Sequence, residues 1–167
     1  MHTPFTPPMA SPDGHVWQMS CPGWGLAMDR AARAHQAGLP LTAVAHCETA
    51  LALAQRVVHE EPDAPGVSLA VAALQAWVCT QVCLSEWLAE DGQLNGAAKG
   101  LAAVHGEVLA WLQRYGHADQ RHAAAAVCVR QTHAALVALW ATHGPHPHID
   151  RAIRAGCLRV RFSTQWH

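Results

Sequence analysis

Histidine is the first feature of this sequence that could do chemistry. Thirteen copies occur in 167 residues, and imidazole is both a common metal ligand and the side chain that titrates near neutrality. Cysteine, with six copies, is the second. Cys79 and Cys83 are four apart, so on a helix they lie one turn from each other with Glu86 beside Cys83. Two thiolates and a carboxylate at that spacing could hold a soft or borderline ion such as zinc or copper. A second metal candidate is the run His143-Gly-Pro-His146-Pro-His148-Ile-Asp150. Its three imidazoles can converge, and its prolines lower the cost of ordering the segment.

His122 and His133 fall on the apolar side of one predicted helix, with Val129, Leu136 and Trp140. Either could serve as a general base in a pocket among helices. Eleven residues separate them, about 16 Å along a helix axis, so one ion with bonds of about 2 Å cannot bind both. Asp119 and His122 have the carboxylate–x–x–His spacing of half a di-metal site. No second such pair accompanies them, and Asp119 reads more simply as a helix cap. The Arg30–His35 spacing matches the short motif of HEPN-type ribonucleases, but no basic face accompanies it to hold RNA. Nothing here specifies a reaction.

The elements that must position these residues are helices. The opening stretch to residue 23 is interrupted by Pro4, Pro7, Pro8, Pro12 and Pro22 and reads as an irregular arm. A short helix, Trp24 to Ala37, ends at Gly38 with Pro40 beyond. Leu41 to Glu61 carries an apolar stripe of Val44, Cys47, Leu51, Ala54 and Val58. Val67 to Asp91 is apolar nearly all round. Leu94 to Tyr115 has the most regular stripe: Leu94, Ala97, Leu101, Val104, Val108, Trp111 and Tyr115. Asp119 to His143 stops at Gly144-Pro145. A short helix over Asp150–Ala155 follows. Leu158, Val160, Phe162 and Thr164 then alternate with Arg159, Arg161 and Ser163, the pattern of an extended segment.

The expected fold is therefore all-α: an up-and-down antiparallel bundle of four long helices, with a short N-terminal helix and extended termini. Its parts are an arm over 1–23, a helical domain over 24–156 and an extended basic tail over 157–167. Charged residues make up only 14% and the formal net charge is −1, which gives no electrostatic footprint for nucleic acid. The uncharged run Ala64–Ser85 is long enough to span a bilayer. Its polar Ser68, Gln75, Thr80 and Gln81 and its many alanines suit a buried helix better. The Pro- and Thr-rich start lacks the basic and apolar regions of a secretory signal. Reduced cysteines in a cytoplasmic protein are the expectation that follows.

With few charges, seven tryptophans and a third long segment apolar on most sides, the sequence favours association. The partner would be a second copy or another protein. The expected function is a non-enzymatic bundle that is an oligomer or a subunit of an assembly. Metal binding through Cys79, Cys83 and Glu86, or through His143, His146 and His148, is the alternative. An enzyme using His122 or His133 is a weaker one.

Overall fold

The computed structural model describes residues 22–60 and 67–163. Among them are six helices and no strand. In chain order these are α1 (Pro22–Gln36), α2 (Pro40–Glu60), α3 (Val67–Glu90), α4 (Leu94–Arg114), α5 (Gln120–His143) and α6 (Pro147–Ser163). The all-helical class follows the sequence pattern. The arm before residue 22, the break at 61–66 and the last residues 164–167 lie outside the described residues.

The chain divides into two compact units, Met1–Thr80 and Gln81–His167. In the first, α1 and α2 form a hairpin that the sequence closes with one glycine. Gly38 takes φ 71°, a left-handed conformation that side chains with a Cβ avoid. It lets the Leu39 N–H reach the Ala34 carbonyl at 2.9 Å while its own N–H reaches that of His35 at 3.0 Å. This paired capping satisfies two carbonyls that the helix end would otherwise strand. The two helices meet along small residues: Ala27, Ala31 and Ala34 from α1, and Ala43, Cys47, Ala50 and Ala54 from α2, all buried. The early turns of α3 supply Trp77, Leu74 and Thr80 to the same unit, all at 3% exposure or less.

Thr80 is the polar tie of that unit. Its hydroxyl accepts from the Trp24 indole N–H at 3.0 Å and donates to the Ala76 carbonyl at 2.6 Å. The Cys47 thiol sits 3.6 Å from the Thr80 carbonyl. Trp24, which the proline pattern puts beside an irregular arm, is thus a core residue at 5% exposure.

The second unit comprises the end of α3 and α4 to α6. The α3 end repeats the α1 device: Gly92 at φ 79° lets Gln93 N–H bond the Leu88 carbonyl at 2.7 Å. The core gathers Ala89, Ala97, Ala98, Leu101, Leu136, Leu139, Ile149 and Ala152 from all four segments. Of the α4 stripe, Ala97, Leu101, Val104, Val108 and Trp111 are buried, and Leu94 and Tyr115 are half-buried.

α6 corrects one expectation. The chain stays helical to Ser163 where alternation predicts an extended tail after Ala155. Pro147 opens the helix, where its missing N–H costs nothing, and Asp150 lies in the first turn, where the helix dipole favours an acid. Ile149, Ala152 and Gly156 then recur at steps of three and four on the buried side. Once that phase is set by packing, continuing the helix adds one bond per residue, and this outweighs a short two-residue alternation.

α3 and α5 are each long and apolar enough to cross a membrane by length and composition; 61% of the most apolar window of α3 and 39% of that of α5 is buried within the chain. The third long segment is therefore covered largely by its own chain.

Candidate functional site

Two faces of α5 carry the features of interest. The buried one is centred on Thr132, with Ala125, Cys128, Val129, Leu136 and Leu139 around it. Trp140 is 45% exposed, a correction to its expected core position. At 100° per residue it sits about 80° from the direction of Thr132. His122 and His133 lie at similar angles on the rim, and both are half-buried.

His133 has a neighbour that the sequence reading does not single out. His105 of α4 is fully buried, and its ring centroid is 6.0 Å from that of His133. His105 Nδ1 lies 2.7 Å from Thr132 Oγ1. The Thr132 hydroxyl is 2.9 Å from the Cys128 carbonyl and 3.1 Å from that of Val129. A hydroxyl has one proton, which the carbonyls and the imidazole nitrogen share as candidate acceptors. The Thr132 hydroxyl therefore either donates to His105 Nδ1 or accepts from it, according to the imidazole tautomer. The signal for His105 was its register, four after Leu101 and three before Val108, both on the α4 stripe.

Gly156 of α6 completes this group. A Cβ built there would stand 2.8 Å from His105 Nε2 and 3.5 Å from His133 Nδ1. The His105 ring therefore packs directly against the glycine, with His133 beside it. Gly156 is not among the glycines with positive φ, so space, not backbone conformation, is what requires it.

The opposite face of α5 is open. Ala123, Val127, Arg130, Ala134, Val137 and Ala141 are all exposed and recur at alternating steps of four and three. Val127 is 46% and Val137 43% exposed. Arg130 is the one charge on this stripe.

His122 lies in the first turn of α5. Its ring meets that of His117 edge-on at 4.4 Å between centroids. Asp119 caps α5 through Arg121 N–H at 2.8 Å, and its other oxygen meets the Arg121 guanidinium at 2.8 Å. These bonds hold the Asp119 carboxyl below its ordinary value, the Arg121 side chain contributing most. The guanidinium in turn lies 4.1 Å from the Tyr115 ring centroid, a cation–π contact. Asp119 is thus engaged with Arg121.

Cys83 is fully buried, Cys79 half-buried and Glu86 exposed. The Glu86 carboxyl is raised above its ordinary value, first by burial and then by Glu90 one turn on. His143 is exposed, and His146 and His148 are half-buried with rings stacked at 5.6 Å. The His148 N–H points at His146 Nδ1 at 3.4 Å, so His146 sits at the start of α6 as a weak cap. Among the described residues, no group of three or more His, Cys, Asp or Glu could hold a metal ion.

No curated protein and no solved structure matches the chain. A family model does match, over residues 22–165, from the first turn of α1 to just past the end of α6. The chain belongs to that family, described as Protein of unknown function (DUF2753).

Proposed function

We propose that this protein works by association, pairing with a second copy of itself through the outward face of α5. One observation carries the reading: an exposed stripe with the four-three spacing of a coiled-coil seam. An up-and-down antiparallel order of the four long helices, which short connections favour, is part of the proposal.

The stripe is also self-complementary. Reversed about a point near residue 132, Ala123 falls opposite Ala141 of the second copy, and Val127 opposite its Val137. Arg130 falls opposite its Ala134. Parallel pairing would instead set Arg130 against Arg130, a like-charge contact that costs stability. An antiparallel two-fold contact is isologous and closes on itself, as most homodimers do. The alanines let the backbones approach, and the seam spans about 27 Å over eighteen residues. A lipid partner fits less well, because Arg130 lies at the centre of the apolar face, where a bilayer penalises charge most.

Sedimentation equilibrium at micromolar concentration should show a dimer. Val127→Glu with Val137→Glu should make it monomeric while leaving helicity intact. In a Cys157→Ser background, Val127→Cys with Val137→Cys should form an intermolecular disulfide that neither single variant forms. A monomeric wild type, or a wild type that floats with vesicles in place of dimerising, overturns the proposal. Cross-linking by Val127→Cys alone overturns the antiparallel register.

A further inference from the structure

We infer that the outward face of α6 is a docking surface for an anionic lipid bilayer. The inference does not depend on dimer formation through α5. It rests on how α6 packs, on its charge, and on the residues that lie between its arginines.

Packing fixes which side of the helix is free. α6 lies against α4 and α5, and its Ile149, Ala152 and Gly156 are buried. At 100° per residue, positions 151, 154, 158 and 161 all fall within about 50° of the opposite direction. Their steps of three, four and three make one stripe about 15 Å long. Arg151 and Arg154 are exposed. Among the described residues neither enters an ion pair. Asp150, the one acid of the helix, lies in its first turn.

Charge selects the kind of partner. α6 carries Arg151, Arg154, Arg159 and Arg161 against Asp150 alone, a formal +3. No other described helix has more than two arginines. The whole chain is −1, so a last helix of +3 leaves −4 for the rest. A negative surface is therefore drawn to α6 and repelled by the remainder, which orients the protein on contact.

The apolar residues of the stripe separate a bilayer from other polyanions. Position 158 is leucine, between Arg154 and Arg161, and Phe162 follows it one turn on. A duplex backbone offers phosphates to arginine but nothing to a leucine and a phenylalanine among them. A bilayer offers both, headgroup charge for the cations and the acyl boundary for the apolar residues. Arginine has an apolar stem long enough to keep its charge at the headgroups while its neighbours sink.

The test is flotation of full-length protein with phosphatidylcholine vesicles, with and without roughly 30% phosphatidylserine. Wild type should float with the phosphatidylserine vesicles at low salt, stay behind with phosphatidylcholine alone, and be released as salt screens the surface charge. Arg151→Ala with Arg154→Ala should weaken binding about 30-fold, roughly five-fold for each cation. Both residues are exposed, so helicity should be unchanged. Phe162→Ser should weaken binding without altering how steeply it falls with salt. Val127→Glu with Val137→Glu should still float, so that loss of the dimer and loss of docking are read separately. A wild type that ignores phosphatidylserine vesicles, or binds phosphatidylcholine equally well, overturns the inference. So does full affinity in the arginine double variant, or loss of flotation in the Val127 and Val137 variant, which would move the lipid contact to α5. Tighter binding to an RNA oligomer, indifferent to Phe162→Ser, overturns it in favour of a nucleic-acid surface.

Discussion

Replacing Gly156 with alanine separates two effects that usually travel together. Alanine in a helix interior is favoured over glycine by about 0.5–1 kcal/mol, through the entropy of the unfolded chain. At Gly106 of α4 a Cβ meets nothing within 4 Å, so Gly106→Ala should realise that gain in full. At Gly156 the same methyl stands 2.8 Å from Nε2 of a fully buried imidazole. His105 cannot swing away without giving up its 2.7 Å bond to Thr132. Forcing extra volume into a packed site costs about 1–3 kcal/mol, so the net loss is on the order of 1–2 kcal/mol. In a chain of this length a kcal/mol moves the melting temperature by roughly 2–4 °C. Thermal unfolding followed by circular dichroism should therefore show Gly106→Ala rising by about 1–4 °C and Gly156→Ala falling by about 2–8 °C. In a His133→Ala background the Gly156→Ala penalty should shrink, because His105 gains room on that side. If both alanine variants are equally stabilised, the crowding at Gly156 is wrong, and the packing of His105 against α6 with it.

Three further changes test other parts of the fold. Thr80→Val keeps the shape of the side chain but removes the acceptor for the Trp24 indole at 3.0 Å; a loss of about 1–3 kcal/mol in urea unfolding is expected, with Thr80→Ser retaining most of the stability. Asp119 has a carboxyl held below its ordinary value, chiefly by Arg121. Its contribution is present above the ordinary carboxylate range and lost as pH falls through the depressed folded value. Asp119→Asn keeps a capping oxygen and should flatten the acid side of the melting-temperature profile. Glu86 runs the opposite way, raised first by burial and then by Glu90. Its charged form opposes folding, so stability should fall as pH rises from the ordinary range through the raised value. Glu86→Gln should match wild type near pH 4 and exceed it at neutral pH.

The helices were legible because their signals are local. A seven-membered stripe on α4 is set by side-chain size at fixed spacing, and every member is buried or half-buried. Gly38 and Gly144 mark helix ends, and both take positive φ, because a residue free of a Cβ is favoured there whatever the tertiary structure. What could not be read depends on which helix faces which. Trp24 follows a run of prolines, and only the position of Thr80, fifty-six residues on, makes it a core residue. Trp140 lies beside Leu136 and Leu139 in register, yet a rotation of the stripe centre to Thr132 turns it outward. The tail beyond Ala155 alternates like a strand, but docking of Ile149 and Ala152 had already fixed a helical phase. His105 was hidden for a related reason. A histidine on an apolar stripe carries no label that separates it from a filler until Thr132 and Gly156 are seen beside it.

On the proposed reading, α5 is the helix through which the protein acts. Its inward face spends a threonine, a histidine and a neighbouring glycine where alanine and leucine would pack as well, and polar groups in a core are costly unless matched. Its outward face spends valine and alanine where a free surface would carry charge. Stability alone explains neither choice. The two are also separable in space, since Thr132 and the stripe through Val127 and Val137 point about 180° apart at 100° per residue. Changes at Val127 and Val137 should therefore alter association without disturbing the imidazoles, and changes at His133 should do the reverse. If the two sets of variants fail together, α5 is a structural strut whose unusual composition is incidental to either face.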